Sequence, residues 1–261
     1  MGLGIGIVGL PNVGKSTVFN ALTKAGAQVA NYPFCTIDPN VGVVPVPDER
    51  LRKLAEIYKP EKVTPTTIEF VDIAGLVKGA STGEGLGNQF LGHIKEVDAV
   101  LHVVRCFEDP NVVHISGKVD PIRDIEVIQT ELCLKDLETV TSRIRKLEKT
   151  AKSGDKEGKI ALAVAQKAAK LLEAGTAVRK TTWTKAEFPF LRELQLITQK
   201  PVLYAANVME SDLPRGGPLV EPVCRLAEED GSSVVVICGK VEAEVAELSD
   251  EEVRVYLKEF G

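Results

Sequence analysis

The sequence lacks the features that mark specialised chains. Its five cysteines, Cys35, Cys106, Cys133, Cys224 and Cys238, are an odd number, and no two stand in C-x-x-C spacing. That argues against a disulfide-stapled scaffold and a structural zinc site, and it fits a reducing cytoplasm. No uninterrupted apolar run approaches the roughly 20 residues that a membrane-spanning helix needs, so no membrane partner is expected. The apolar N-terminus has no basic n-region, which argues against a signal peptide, and Gly6 stands where a myristoylation signal carries Ser or Thr. Nor is there an excess of positive charge. A net charge of -5 argues against a general nucleic-acid binder and leaves room only for a local basic patch. What remains is the composition of an ordinary soluble protein, 44% hydrophobic and 26% charged over 261 residues, enough for one large domain or two small ones. A monomer is the simplest expectation.

The most informative stretch comes early. Gly9-Leu10-Pro11-Asn12-Val13-Gly14-Lys15-Ser16-Thr17 matches G-x-x-x-x-G-K-[ST]. The apolar segment Leu3 to Val8 precedes it at strand length, and Val18-Phe19-Asn20-Ala21-Leu22 follows with helix-compatible spacing, the context this motif requires. There the loop N–H groups and the helix N-terminus face one anion together. Lys15 would reach the β- and γ-phosphates of a nucleotide, and the Ser16 hydroxyl would hold a Mg²⁺ that touches the same oxygens. Gly9 and Gly14 let the backbone bend and approach closely.

Downstream the chain reads as an α/β fold, a mostly parallel sheet flanked by helices with a helical hairpin inserted. Asn31 to Asn40 carries two prolines and reads as a loop. Strands are predicted at Val41 to Val46, Thr66 to Val71, Asp98 to Arg105, Pro201 to Ala206 and Ser233 to Ile237, with a short helix around Glu49 to Tyr58. Each later strand delivers a polar motif at its carboxyl end, as open α/β sheets do with their ligands. Asp72-Ile73-Ala74-Gly75 is one such motif, in which Asp72 can bind Mg²⁺ through water and Gly75 can bring its N–H to the γ-phosphate. D-x-x-G alone is weak, and it gains weight behind a phosphate loop and before Gly79, Gly83, Gly85 and Gly87. From Asp124 to Leu147 an apolar stripe recurs at helical spacing, Ser153-Gly154-Asp155 breaks it, and Gly158 to Ala174 resumes it. We read residues 124–199 as an inserted hairpin domain between the halves, 1–123 and 200–261, of a nucleotide-binding domain. The hairpin's outer face carries Arg143, Arg145, Lys146, Lys149, Lys152, Lys156, Lys159, Lys167 and Lys170, either a solvated face or a contact for RNA or the ribosome. Trp183 reads as packing at the hairpin base, and Ser249 with Glu252 as the capping box of a final helix.

The ordered motifs GLPNVGKST, YPFCTIDPNVG, DIAGLVKGAS, GEGLGNQFL and NVME make the sequence resemble the Obg-like ATPases of the YchF type, within the translation-factor-related GTPases. The resemblance spans essentially the whole chain. It implies that Thr36 is a Mg²⁺ and γ-phosphate ligand, that Asp72 and Gly75 form a second switch, and that Asn207 reads the base. Cys238, Gly239 and Lys240 would then form the last base loop. It also implies slow nucleotide hydrolysis coupled to a regulatory cycle and an association with ribosomes. Three departures qualify it. Cys238 replaces the common Ser or Ala. Leu76 follows Gly75 where many GTPases place a water-orienting Gln. The small C-terminal TGS domain of the family is absent from this chain, and in a fragment ribosome binding would weaken.

Without that Gln, His114 is one candidate to orient water, the alternative being a loop histidine satisfied by solvent. His93 and His102 read as packed or surface residues. Asn12 is a candidate ligand for a potassium ion beside the transferring phosphate. Asn207-Val208-Met209-Glu210 departs from the guanine-reading N-K-x-D. Glu210 is one methylene longer than Asp, and Val208 lacks the Lys stem that packs on the base, so ATP is expected over GTP. Phe107 would either stack on the base or pack in the core. A GTPase of the same architecture, a phosphate-loop kinase and a ribosome- or RNA-binding module with incidental hydrolysis remain as alternatives.

Overall fold

The computed structural model describes residues 2–27, 41–73, 94–114, 116–151 and 156–258. Six strands form one sheet: β1 (Leu3–Val8), β2 (Val41–Pro45), β3 (Thr67–Asp72), β4 (Ala99–Arg105), β5 (Val202–Asn207) and β6 (Ser233–Ile237). Their spatial order is β2-β3-β1-β4-β5-β6, with β2 antiparallel to β3 and every other pairing parallel. β4 is buried along nearly its whole length, which explains why it reads as an unbroken apolar run. The parallel strands send their carboxyl ends to one edge, where Val8, Asp72, Arg105, Asn207 and Ile237 deliver the chain to its loops.

The helices in chain order are α1 (Lys15–Ala27), α2 (Glu49–Tyr58), α3 (Pro121–Ala151), α4 (Lys156–Glu173), α5 (Phe188–Glu193), α6 (Val220–Asp230), α7 (Gly239–Val245) and α8 (Asp250–Leu257). Asp48 caps α2, its carboxylate accepting from the Arg50 N–H at 2.9 Å. The expected Ser249 and Glu252 box is present at the start of α8, the Glu252 carboxylate accepting from the Ser249 N–H at 2.9 Å. One core cluster joins Ile7, Val18, Phe19, Phe70, Val100 and Leu101 around β1, β3, β4 and α1. A second gathers Val104, Tyr204, Ala206, Val208, Val220 and Val223 against α6. Among the described residues no helix is long and apolar enough to cross a membrane.

The hairpin has a core of its own. Cys133, Val140, Val164, Ala165, Ala168 and Leu172 pack between α3 and α4, closed by Leu191, Leu194 and Leu196. α3 serves both bodies, since Ile125 and Ile128 at its start belong to the sheet clusters while Cys133 onward belongs to the hairpin. The 31 residues of α3 therefore span about 46 Å from one core to the other. Asp136, fully buried on this helix, locks the return chain by accepting from Ile197 N at 2.9 Å and from Thr198 N and Oγ1 at 2.7 Å each. Desolvation pushes its carboxyl pKa up, against those hydrogen bonds. Trp183 packs at the hairpin base, its Nε1 donating to the Val178 carbonyl at 3.1 Å with the Lys167 ammonium 4.1 Å from a ring centroid. The loop at residues 152–155 lies outside the described residues.

Candidate functional site

The loop between β1 and α1 is built on backbone angles that side chains resist. Gly14 has φ +98°, and a Cβ there would come within 2.4 Å of Asn207 Nδ2. A Cβ on Gly9 would come within 2.5 Å of the Val103 carbonyl oxygen. Asn12 holds φ +62°, a left-handed angle that asparagine tolerates better than most residues. The loop thus wraps back on β4 and β5 while α1 starts at Lys15, leaving the N–H groups of its first turn without intrahelical partners.

Lys15 is only 8% exposed and donates from Nζ to the Leu10 carbonyl at 2.9 Å. Burial lowers its pKa from the ordinary lysine value, and the charge of Asp72 partly opposes that. Ser16 Oγ donates to Asp72 Oδ2 at 3.3 Å, while the buried Asp72 Oδ1 has no hydrogen-bond partner among the described residues. An unpartnered carboxylate oxygen beside a hydroxyl at the mouth of a phosphate loop suits a hard cation that draws its other ligands from water and phosphate. Such a site needs no larger protein cage, and the described residues contain no group of three His, Cys, Asp or Glu able to hold a metal.

The other end of the site is tied together by one side chain. Asn207 Nδ2 donates to the Val13 carbonyl at 2.9 Å, and its Oδ1 accepts from the Gly239 N–H at 2.8 Å. This carboxamide joins the phosphate loop to the start of α7, where Cys238 is the buried N-cap residue. Between them opens a cleft of about 790 Å³. Asn12, Gly14, Lys15, Ser16, Thr17 and Phe107 line it from one side, and Asn207, Met209, Cys238, Gly239 and Lys240 from the other. Val13 lies behind the loop, 1% exposed. Val208 reaches the cleft wall, but its side chain is 2% exposed and belongs to the apolar cluster beneath, so it is a core residue rather than a stand-in for a base-covering stem. Glu210 is half exposed and pairs with Lys240 across 3.7 Å.

His114 stands apart from this cleft. It is neither solvated nor free: Nε2 lies 2.8 Å from Asp124 Oδ2, and Nδ1 accepts from the Ser116 N–H at 3.1 Å. An Nδ1 that accepts requires the proton on Nε2, so the ring donates to the buried Asp124 and has no nitrogen left for a water in this arrangement. Thr36, Gly75, Leu76 and His93 lie outside the described residues. His102 is buried in β4 against the Tyr204 ring, with centroids 5.6 Å apart. Sequence reasoning missed Arg105, Asp109, Val112 and Glu244. The last three line the cleft, and Arg105 underlies it. The available signal was a charged residue ending an otherwise apolar strand, two positions before Phe107.

Comparison with known proteins agrees with this architecture. The family model described as 50S ribosome-binding GTPase matches residues 4–141. The protein named Ribosome-binding ATPase YchF from Haemophilus ducreyi is 54% identical over 261 residues, covering 100% of this chain and 72% of that one. Its namesake from Escherichia coli O157:H7 is 55% identical with the same coverage. The solved structure of the Schizosaccharomyces pombe YchF GTPase superposes with a TM-score of 0.85 at 40% identity, covering 99% of this chain and 71% of that one.

Proposed function

This chain belongs to the YchF family of P-loop nucleoside triphosphate hydrolases, and from that premise we propose that it binds ATP, hydrolyses it slowly with Mg²⁺, and acts as a switch at the ribosome. The carrying observation is the base end of the cleft. Asn207 spends its oxygen and one N–H on Gly239 and Val13, which leaves one N–H for an acceptor such as N7, common to both purines. Guanine selection then needs an aligned carboxylate for its N1–H and amino group. Glu210 is drawn toward Lys240 instead, and Val208 is committed to the core. A site without the aligned pair gives guanine no advantage. Phe107, half-buried on the cleft wall, is positioned to stack on adenine.

Lys15 would leave the Leu10 carbonyl for the phosphates, and the first-turn N–H groups of α1 would hold the same oxygens. Ser16 and Asp72 would hold Mg²⁺, which when bound neutralises charge on the β- and γ-phosphate oxygens. Thr36 and Gly75 are the proposed γ-phosphate contacts of two switch segments, so ATP should protect residues 32–38 and 75–87 from hydrogen exchange more than ADP does. Asn12 commits its Nδ2 to the Val113 carbonyl at 3.2 Å and keeps its oxygen for a cation, the proposed K⁺. Replacing K⁺ by Na⁺ at equal ionic strength should slow hydrolysis, and an unaltered rate removes K⁺.

Ribosome contact is inferred from the names of the relatives together with Arg145, Lys146, Lys149, Lys156 and Lys159, all exposed on the hairpin. It predicts salt-sensitive cosedimentation with ribosomes. The deciding measurement for the nucleotide is the dissociation constant for ATP against GTP with Mg²⁺. Tighter GTP binding would promote the GTPase reading. Glu210→Asp should raise GTP affinity, a cleaner swap than a lysine at 208, whose ammonium would enter the apolar cluster.

A further inference from the structure

Arg105 is the last residue of β4, in register with Asn207 of β5, and it is 2% exposed. Among the described residues no carboxylate lies within ion-pair reach of its guanidinium, and Nη1 has no hydrogen-bond partner. A buried cation without a counter-ion is an expensive way to fill space. Its remaining contacts indicate what it does. Nε donates to the Phe107 carbonyl at 3.1 Å and Nη2 to the Val112 carbonyl at 2.9 Å, while Cζ lies 4.6 Å from the centroid of the Phe107 ring. The segment from Phe107 to Val112 therefore begins and ends on one planar group. Asp109 tightens it from within, its carboxylate accepting from Asn111 N at 2.8 Å and its carbonyl from Val112 N at 3.1 Å. The next residue, Val113, offers the carbonyl to which Asn12 of the phosphate loop donates.

We propose that Arg105 is a positioning residue for base recognition: its guanidinium pins the 107–112 wall and holds the Phe107 ring so that its free face meets the purine. The proposal rests on the nucleotide reading above. A planar fork suits this work, because it meets the carbonyls of Phe107, Asp109 and Val112 together while its carbon lies over an aromatic ring. A lysine keeps the charge and most of the volume but loses both the fork and the plane. Arg105→Lys should therefore act on the base and not on the phosphates.

The test compares ADP with inorganic tripolyphosphate, which touches only the phosphate loop, using isothermal titration with Mg²⁺. Arg105→Lys should weaken ADP binding about tenfold, or roughly 1.4 kcal/mol, and leave tripolyphosphate binding within twofold of the unmodified protein. Phe107→Ala should do the same. The double variant should be no more than twofold weaker than either single, since both remove one stacked ring. Quenching of bound etheno-ADP, a direct report of stacking, should fall in both single variants. Equal losses for ADP and tripolyphosphate would make Arg105 a general prop of the fold and overturn the proposal. Additive losses in the double variant would separate it from Phe107 with the same result. Should Arg105→Lys fail to fold, quenching retained in Phe107→Ala would still overturn the idea, because the ring would not be the stacking surface. Failure of the unmodified protein to bind either ligand would instead sink the nucleotide reading itself.

Discussion

The cleft end of the sheet and the α3–α4 hairpin are made of the same kinds of residue arranged for opposite ends. In the hairpin, Val140, Val164, Ala165, Ala168 and Leu172 are all buried aliphatics, Arg145, Lys146, Lys149, Lys156 and Lys159 are exposed, and the buried Asp136 has its carboxylate satisfied by Ile197 and Thr198. At the cleft the buried groups include a desolvated Lys15 and, among the described residues, an Asp72 oxygen without a partner and an Arg105 without a counter-ion. Gly14 there has no room for even one more carbon. Burial that stabilises in one region is held in reserve in the other, where polar groups left short of partners can be satisfied by a ligand. Stability should accordingly reside in the hairpin and sheet cores, and function in the under-satisfied edge.

The comparison breaks most readily in the hairpin. Leu172→Ala, at 3% exposure, should cost about 2–5 kcal/mol of stability through lost transfer energy and a residual cavity. Thermal unfolding measures this, while the dissociation constant for ATP should stay the same; a large loss of affinity would show the two regions to be one energetic unit. The mirror experiment is Lys15→Ala. If Lys15 serves the transferring phosphate as proposed, removing its charge should cost about 2–4 kcal/mol in kcat/KM, on the order of 100-fold, with the fold intact. Unchanged turnover would take Lys15 out of the site.

A smaller effect concerns His102, which lies between the two regions. Burial depresses its pKa to about 3, helped by the nearby charges of Arg179 and Lys15. The folded protein holds this imidazole neutral while the unfolded chain takes up a proton below about pH 6.5, so stability contributed by the neutral ring is full above that pH and lost as pH falls toward 3. The slope approaches about 1.4 kcal/mol per pH unit. Urea titrations between pH 7 and 4 should show a shallower loss in His102→Phe than in the unmodified protein, and parallel curves would mean the ring is not held neutral. Least of all, Lys159→Ala on the exposed hairpin face should move stability by less than about 0.5 kcal/mol. A weaker affinity for ribosomes at unchanged stability would mark that face as a contact.

The parts legible in the sequence were those carried by local pattern. β1, the phosphate loop and α1 followed from one motif and its flanks, and β4 and β5 from their apolar runs. The antiparallel placing of β2 had no local signature, because its pairing with β3 is a long-range choice. The extent of α3 was legible as a helical stripe, whereas its service to two cores was not, since Ile125 and Val140 are equally apolar on paper. His114 read as a candidate to orient water or as a loop histidine satisfied by solvent, because Asp124, ten residues on, reveals itself as a partner only in space.

Sequence alone determined the chemistry available to this protein: a glycine-rich loop ahead of Lys15 and Ser16, a strand ending in Asp72, and Asn207 with Glu210 in place of the guanine-reading pattern. Those are matters of residue type and short spacing, which the chain carries wherever it goes. The tertiary structure decided which of these groups are spent and which are free. It tied Asn207 to Val13 and Gly239, sent Val208 inward, paired Glu210 with Lys240 and set Arg105 beneath Phe107. Hydrogen-bond partners from distant segments depend on register and packing, and a local pattern contains neither.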